Sequence, residues 1–112
     1  MLGRSHRFHG LGSLRGVYQR GRSLRGAQLG LKYAERGSGR PYRVAVVVSR
    51  KVHKSAVVRN RIRRRVYEQV RLNDTLVKPG TDLVFTAYHP DLATLETPKL
   101  ADLIKNLLNK AV

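Results

Sequence analysis

The side chains best suited to a chemical function stand together in residues 50–65, which hold eight lysines and arginines and one histidine. Five of the arginines fall within residues 59–65. A guanidinium offers phosphate a planar fork of donors and offers a base a flat face, so this composition favours nucleic acid over a general anionic surface. Asn60, between two arginines, could donate to and accept from a phosphate, a base edge or a hydrated metal ion. A local capping role is the alternative for Asn60.

Groups that could make or break covalent bonds are dispersed along the chain. The acids are Glu35, Glu68, Asp74, Asp82, Asp91, Glu96 and Asp102. None of them forms a pair with the spacing of a general acid and base or of a two-metal site. The histidines, which lack metal-ligand spacing, are His6, His9, His53 and His89. We therefore expect no catalytic residue and no metal-binding cluster of side chains in this chain.

An apolar stripe underlies the basic run. Val58, Ile62, Val66 and Val70 recur at four-residue spacing, which predicts a helix from Ser55 or Ala56 to Leu72 that buries this side. With Val58 as the centre of the buried side, the predicted opposite side consists of Asn60, Arg63, Arg64, Tyr67 and Arg71. Glu68 is one turn from both Arg64 and Arg71, which favours a salt bridge within the helix.

The charge of the chain is concentrated in its first two thirds. Residues 1–72 hold 19 lysines and arginines against two acids, whereas residues 73–112 hold four lysines against five acids, for a net charge of +16 overall. A surface that faces a polyanion needs such a concentration. The mutual repulsion of these arginines is tolerable where a partner supplies negative charge.

Composition also narrows the class of protein. The absence of cysteine fits a reducing compartment, and no apolar run approaches the roughly 18 residues of a membrane span. We therefore expect a cytoplasmic protein that does not bind a membrane. Residues 1–25 are rich in arginine and poor in acids, which is also typical of a mitochondrial targeting peptide.

Local patterns predict a small α+β domain of two layers. Residues 1–12 are interpreted as a flexible basic arm, and residues 13–112 as a single domain that binds nucleic acid. The predicted elements are a helix at 13–20, a strand at 27–34, a central strand at 42–49, the basic helix, a strand at 81–88, and a last helix capped by Thr97. This order places three helices on a small sheet of three to four strands.

The motif around Asn60 resembles one known family. Ser49-Arg50-Lys51 is followed by Ala56-Val57-Val58-Arg59-Asn60-Arg61-Ile62-Arg63-Arg64, and residues 14–21 read Leu-Arg-Gly-Val-Tyr-Gln-Arg-Gly. Both segments resemble the bacterial ribonuclease P protein component, the small subunit of a tRNA-processing ribonucleoprotein. The resemblance implies a left-handed crossover between two parallel strands, against the general right-handed rule, and a short extra strand near Ser23 to Arg25.

The resemblance also implies a function. In this family the RNA subunit performs Mg²⁺-dependent hydrolysis that frees the mature 5′ end of tRNA, and the protein assists it without requiring a protein partner. The residues predicted to bind the catalytic RNA are Lys51, Lys54, Arg59, Asn60, Arg61, Arg64 and Arg65, with an RNA-associated Mg²⁺ near Asn60. The residues predicted to contact the single-stranded 5′ leader of precursor tRNA are Leu14, Tyr18, Arg63 and Tyr67.

Four residues depart from the pattern of the family, and one of them is His53, which stands near a common loop glycine. Leu14 stands where the family often has an aromatic side chain, and Gly30 and Lys32 replace bulkier residues that face the leader cleft. Leader stacking in this chain is therefore expected to be weaker or to use other residues. For Tyr18 and Tyr67, core packing and contact with a base are equally open interpretations.

Proteins of other classes share some of these features. A structural RNA-binding protein of another kind, such as a ribosomal protein, would share the charge but is not expected to share the spacing around Asn60. A helix-turn-helix protein would place a second helix just before the basic one, where residues 42–49 predict a strand instead. A self-sufficient nuclease would need clustered acids or histidines.

Overall fold

The computed structural model describes His6 and residues 11–36 and 40–111. Its elements in chain order are α1 (Leu11–Arg20), β1 (Arg22–Arg25), β2 (Leu29–Glu35), β3 (Arg43–Val47), α2 (Ala56–Leu72), β4 (Thr81–Ala87) and α3 (Thr97–Lys110). Short 3₁₀ turns at Asp74–Leu76 and Pro90–Ala93 flank β4. The sheet has four strands. The predicted fold class, an α+β domain with three helices on a small mixed sheet of three to four strands, is confirmed. So is the extra strand, which is β1.

The strands form one sheet in the order β1-β2-β4-β3. β2 is antiparallel to β1 and to β4, whereas β3 is parallel to β4, so that Phe85 lies between Leu31 and Val46. The basic helix α2 joins the two parallel strands, which makes β3-α2-β4 a crossover unit. The left-handed sense of that crossover stays a prediction from the resemblance.

The prediction that residues 42–49 form a central strand is wrong. β3 is an edge strand that pairs with β4 alone and buries alternate residues, whereas β4 is buried along almost its whole length. The valine-rich composition of residues 42–49, apolar on both faces, suggested a strand with two covered faces. Strand order depends on long-range pairing, which composition does not reveal.

The main core lies on one face of the sheet. Leu83 and Phe85 of β4 pack there with Ile62 and Val66 of α2 and with Ile104 of α3. The same face is completed by Leu29, Leu31, Val44, Val46, Val70, Leu100, Leu107 and Leu108. Adjacent strand residues point to opposite faces, so β4 turns its other side chains toward the second face, where α1 contacts β2 and β4.

Helix boundaries follow local signals with two corrections. The range predicted for α2 is confirmed, and Ser55 caps it by accepting a hydrogen bond from Val58 N at 3.4 Å. α1 begins at Leu11, before the predicted Ser13. The predicted cap Thr97 is wrong, because Thr97 is the first residue of α3 and Glu96 is the cap.

The predicted flexible arm at 1–12 falls mostly outside the described residues. Its last two residues belong to α1. His6 stacks on the ring of Tyr42 with centroids 4.0 Å apart, and its Nδ1 donates to the Tyr42 carbonyl oxygen over 2.9 Å. At least this residue of the arm therefore contacts the domain.

A buried carboxylate ties together three parts of the chain. Asp82 of β4 is 1% exposed. It accepts from Arg36 Nε over 2.7 Å and from Arg43 Nε and Nη2 over 2.9 and 2.8 Å. The hydrogen bond from Arg43 to Asp82 raises the pKa of Arg43. Asp82 thus fixes the end of β2 and the start of β3 against β4.

Candidate nucleic-acid interface

The exposed face of α2 differs from the predicted one by a modest rotation. Each four-residue step advances about 40° around a helix, so the buried stripe is centred near Ile62 and Val66 rather than on Val58. Gln69 joins the buried side at 6% exposure. Of the residues predicted to lie opposite, Arg63 and Tyr67 are half-buried. The exposed residues of α2 that follow the cap are Ala56, Val57, Asn60, Arg61, Arg64, Arg71 and Leu72.

The loop before α2 is fastened to the helix by Arg59. Arg59 Nη1 donates to the carbonyl oxygens of His53 and Lys54 over 3.0 and 2.8 Å. His53 Nδ1 in turn accepts from Ser55 N over 3.0 Å. Lys51 and Lys54 are exposed on this loop. The loop that carries Lys51 and Lys54 is therefore hydrogen-bonded to the first turn of α2.

Asn60 is oriented by a neighbouring arginine. Arg63 Nη1 donates to Asn60 Oδ1 over 2.5 Å, and Arg63 Nη2 donates to the Val48 carbonyl oxygen over 3.3 Å. Asn60 itself is exposed. Arg63 therefore links the exposed amide of α2 to the loop that follows β3, and it stands at the boundary between the helix and the sheet edge.

Arg61 and Arg64 are exposed, whereas the Arg65 guanidinium donates to backbone carbonyl groups of the same chain. Arg65 Nη1 donates to the Leu92 carbonyl oxygen over 2.5 Å, and Nη2 donates to the Leu95 carbonyl oxygen. Burial lowers the pKa of Arg65, and the charge of Arg61 lowers it further. A contact of Arg65 with RNA stays a prediction, but the observed bonds give this residue a structural role.

Replacing Arg65 with glutamine is expected to lower the free energy of unfolding by about 1–3 kcal/mol, because two carbonyl groups lose charged donors. Urea unfolding followed by circular dichroism would measure the loss. Arg61→Gln removes the same charge from an exposed position and should change stability by about 0.5 kcal/mol or less. Equal stability of the two variants would contradict the structural role of Arg65.

Glu68 pairs with Arg71, one of its two predicted partners. Arg71 Nε and Nη2 both donate to the Glu68 carboxylate, in one case over 3.2 Å. The hydrogen bond from Arg71 lowers the pKa of Glu68. Within the described part of the chain, no three His, Cys, Asp or Glu side chains are grouped to hold a metal ion.

The residues predicted to contact the leader are divided between two elements. Leu14 and Tyr18 lie on α1, where Leu14 is half-buried and Tyr18 is 46% exposed. Lys32 Nζ of β2 lies 5.2 Å from the centroid of the Tyr18 ring, which forms a cation–π pair. Tyr67 is half-buried against the main core, so packing accounts for part of its ring.

Tyr88 is a second exposed tyrosine that lies beside a cation, and the sequence did not indicate it as a site. Tyr88 follows β4 and is 38% exposed, and Arg25 Cζ lies 4.5 Å from its ring centroid. The ring lies against Gly30. The only signal for this contact in the sequence is that Gly30 departs from the family pattern. The side chain that fills the space beside Gly30 is that of Tyr88, which comes 58 residues later in the chain.

Comparison with known proteins identifies the family. A family model described as Ribonuclease P matches residues 2–112. This chain belongs to the ribonuclease P protein family. Family membership implies a role in tRNA processing as part of a ribonucleoprotein. In the described residues, no helix combines the length and apolar composition that crossing a membrane requires.

Individual members of the ribonuclease P family agree with this result. The ribonuclease P protein component of Synechococcus sp. (strain JA-2-3B'a(2-13)) is 37% identical over 114 residues, covering 99% of this chain and 85% of the relative. That of Roseiflexus castenholzii is 54% identical over 56 residues, which is 50% of this chain and 46% of the relative.

Solved structures of family members share the fold. The RNase P protein of Staphylococcus aureus superposes with a TM-score of 0.82 at 19% identity, covering 96% of each chain. That of Thermotoga maritima gives a TM-score of 0.80 at 23% identity, covering 93% of this chain and 96% of the other. At these identities the likeness concerns the fold alone.

Proposed function

We propose that this ribonuclease P family chain is the protein subunit of a cytoplasmic ribonuclease P holoenzyme. It binds the catalytic RNA through α2 and the preceding loop, and it binds the 5′ leader of precursor tRNA through the sheet face beside α1. It thereby assists removal of the leader, which yields the mature 5′ end of the tRNA. The endonuclease activity belongs to the complex, and the catalytic groups belong to the RNA.

The observation that supports this proposal most strongly is the cationic surface formed by the start of α2 and the loop bonded to it. Arg61 and Arg64 are exposed beside Asn60, while Arg59 anchors the loop that presents Lys51 and Lys54. Because the helix already holds the backbone of its residues, only their side chains still have to be ordered when they meet phosphates. Each phosphate they neutralise releases counterions, which favours binding at low salt.

The second part of the proposal concerns the two RNA molecules that must meet. Precursor tRNA and the catalytic RNA are both polyanions and repel each other. A protein that carries cations toward both reduces this repulsion and raises the occupancy of the productive complex. Tyr18 with Lys32, together with Arg63 at the edge of α2, would contact the leader, since an aromatic ring stacks a base and a cation meets its phosphate.

We further propose that Mg²⁺ is held mainly by the RNA subunit. The described residues form no cluster of metal ligands, and Asn60 Oδ1 already accepts from the Arg63 guanidinium. A cation at this oxygen disfavours direct ligation of Mg²⁺, which prefers oxygen ligands with their lone pairs available. Asn60 fits better as a polar contact to RNA than as a metal ligand.

Reconstitution tests this function. The purified chain alone should leave precursor tRNA intact, and addition of a bacterial ribonuclease P RNA should produce cleavage at the mature 5′ end. The stimulation should be greatest at low Mg²⁺, where added cations on the protein replace screening by the metal. Cleavage by the chain alone, or no stimulation of the RNA, would contradict the proposal.

A further inference from the structure

Tyr88 occupies space that Gly30 leaves open. A Cβ atom at residue 30 would lie 2.8 Å from the Tyr88 hydroxyl oxygen and 2.9 Å from its Cε2, closer than van der Waals contact allows. Glycine therefore permits the ring to lie against β2. Tyr88 N also donates to the Gln28 carbonyl oxygen over 2.8 Å, so the backbone that carries the ring is fixed by the pairing of β2 with β4.

Arg25 covers the Tyr88 ring through a contact weak enough for an RNA base to replace it. Both side chains are exposed, and an exposed cation–π contact changes an equilibrium by only about 2- to 5-fold. A base stacked on an aromatic ring contributes roughly 5- to 100-fold. An unpaired base should therefore displace the guanidinium, which is then available for the phosphate of the same nucleotide.

The Tyr88 pair continues a line that begins at Tyr18. Ser23 is paired with Lys32 and Arg25 with Gly30, so Arg25 and Lys32 project from the same face of the sheet. Lys32 and Gly30 are two residues apart on β2, which is about 7 Å along a strand. One single strand of RNA can reach both tyrosine–cation pairs at this separation.

We propose that Tyr88 is a base-stacking residue for the single-stranded leader of precursor tRNA, at a subsite that Gly30 makes room for and Arg25 covers in the absence of RNA. This inference rests on the proposed function. The aromatic surface that β2 lacks at Gly30 and Lys32 is thus supplied from the end of β4. Tyr18 and Tyr88, each with its cation, form two neighbouring stacking positions.

The test compares Tyr88→Leu with Tyr88→Phe in the reconstituted holoenzyme. Leucine keeps an apolar cover over Gly30 but removes the aromatic ring, whereas phenylalanine keeps the ring. The measured quantity is the ratio of the affinity for precursor tRNA to the affinity for mature tRNA without a leader. We expect Tyr88→Leu to lower this ratio roughly 5- to 100-fold and Tyr88→Phe to leave it unchanged. A precursor with abasic leader nucleotides should lose the same factor with the wild-type protein.

The outcomes separate this inference from the proposed function. If the wild-type holoenzyme binds precursor and mature tRNA equally, leader binding itself fails. If the wild-type holoenzyme prefers the precursor and Tyr88→Leu keeps that preference, the assignment of Tyr88 is overturned while the function stands. Equal weakening of both ligands by Tyr88→Leu would also overturn it, since the ring would then only support the structure.

Discussion

Replacing Arg61 and Arg64 together with glutamine is expected to weaken binding of the ribonuclease P RNA roughly 100-fold, since a charged hydrogen bond contributes about 1.5 kcal/mol or more. Both side chains are exposed on α2, so folding should be unaffected. The slope of log affinity against log salt should become shallower by about 0.7 to 0.9 for each lost phosphate contact. Arg59 is a less suitable target, because it also anchors the loop carbonyls of His53 and Lys54.

The matched control removes two charges from another part of the surface. Lys99 and Lys105 are exposed on α3, in the part of the chain where acids outnumber lysines. Replacing both with glutamine changes the net charge by the same amount, and it should leave the salt slope nearly unchanged. Equal effects of the two double variants would show that binding responds to total charge rather than to the α2 surface.

Asp82→Asn is expected to lower the free energy of unfolding by about 2–3 kcal/mol. Breaking a buried ion pair by removing one partner costs about 3–5 kcal/mol. The Arg36 and Arg43 side chains are 15% and 19% exposed, so water can partly hydrate them when the carboxylate is removed. For a domain whose total stability is of the order of 5–15 kcal/mol, this is a large fraction.

Glu35→Gln provides the comparison for that loss. Glu35 pairs with Lys78 over 2.5 Å, but both side chains are largely exposed, so that water and salt screen the pair and it should contribute little to stability. Urea unfolding of both variants at one pH would separate the buried ion pair from the exposed one. A loss for Asp82→Asn no larger than that for Glu35→Gln would contradict the role of Asp82 in joining β2, β3 and β4.

Local features of the fold could be predicted from sequence, and long-range ones could not. The range of α2 follows from its cap at Ser55 and its aliphatic stripe, which are signals contained within the helix. The position of β3 at the sheet edge depends on which strands pair, and its valines suit an edge or a centre equally. Asp82 is a scattered acid in sequence and becomes the partner of two arginines only when β2, β3 and β4 are adjacent.

The same division applies to the candidate site. The composition of the basic helix predicted a cationic surface, and Arg61 and Arg64 lie on it. The internal bonds of Arg65 to residues 92 and 95 depend on tertiary packing, so sequence could not distinguish it from its exposed neighbours. Contact between Tyr88 and Gly30 likewise requires the pairing of β2 with β4, and Tyr88 was therefore missed.

Site-directed hydroxyl-radical probing tests the central claim, docking of the α2 surface on the catalytic RNA, most directly. The chain contains no cysteine, so an iron chelate can be attached at a single introduced thiol. Val57→Cys places it on α2 at a side chain that is 74% exposed without removing a cation, and Lys105→Cys places it on α3. In an active holoenzyme, the probe at residue 57 should cut the ribonuclease P RNA strongly and the probe at residue 105 weakly. Strong cutting from residue 105 with none from residue 57 would contradict docking through α2.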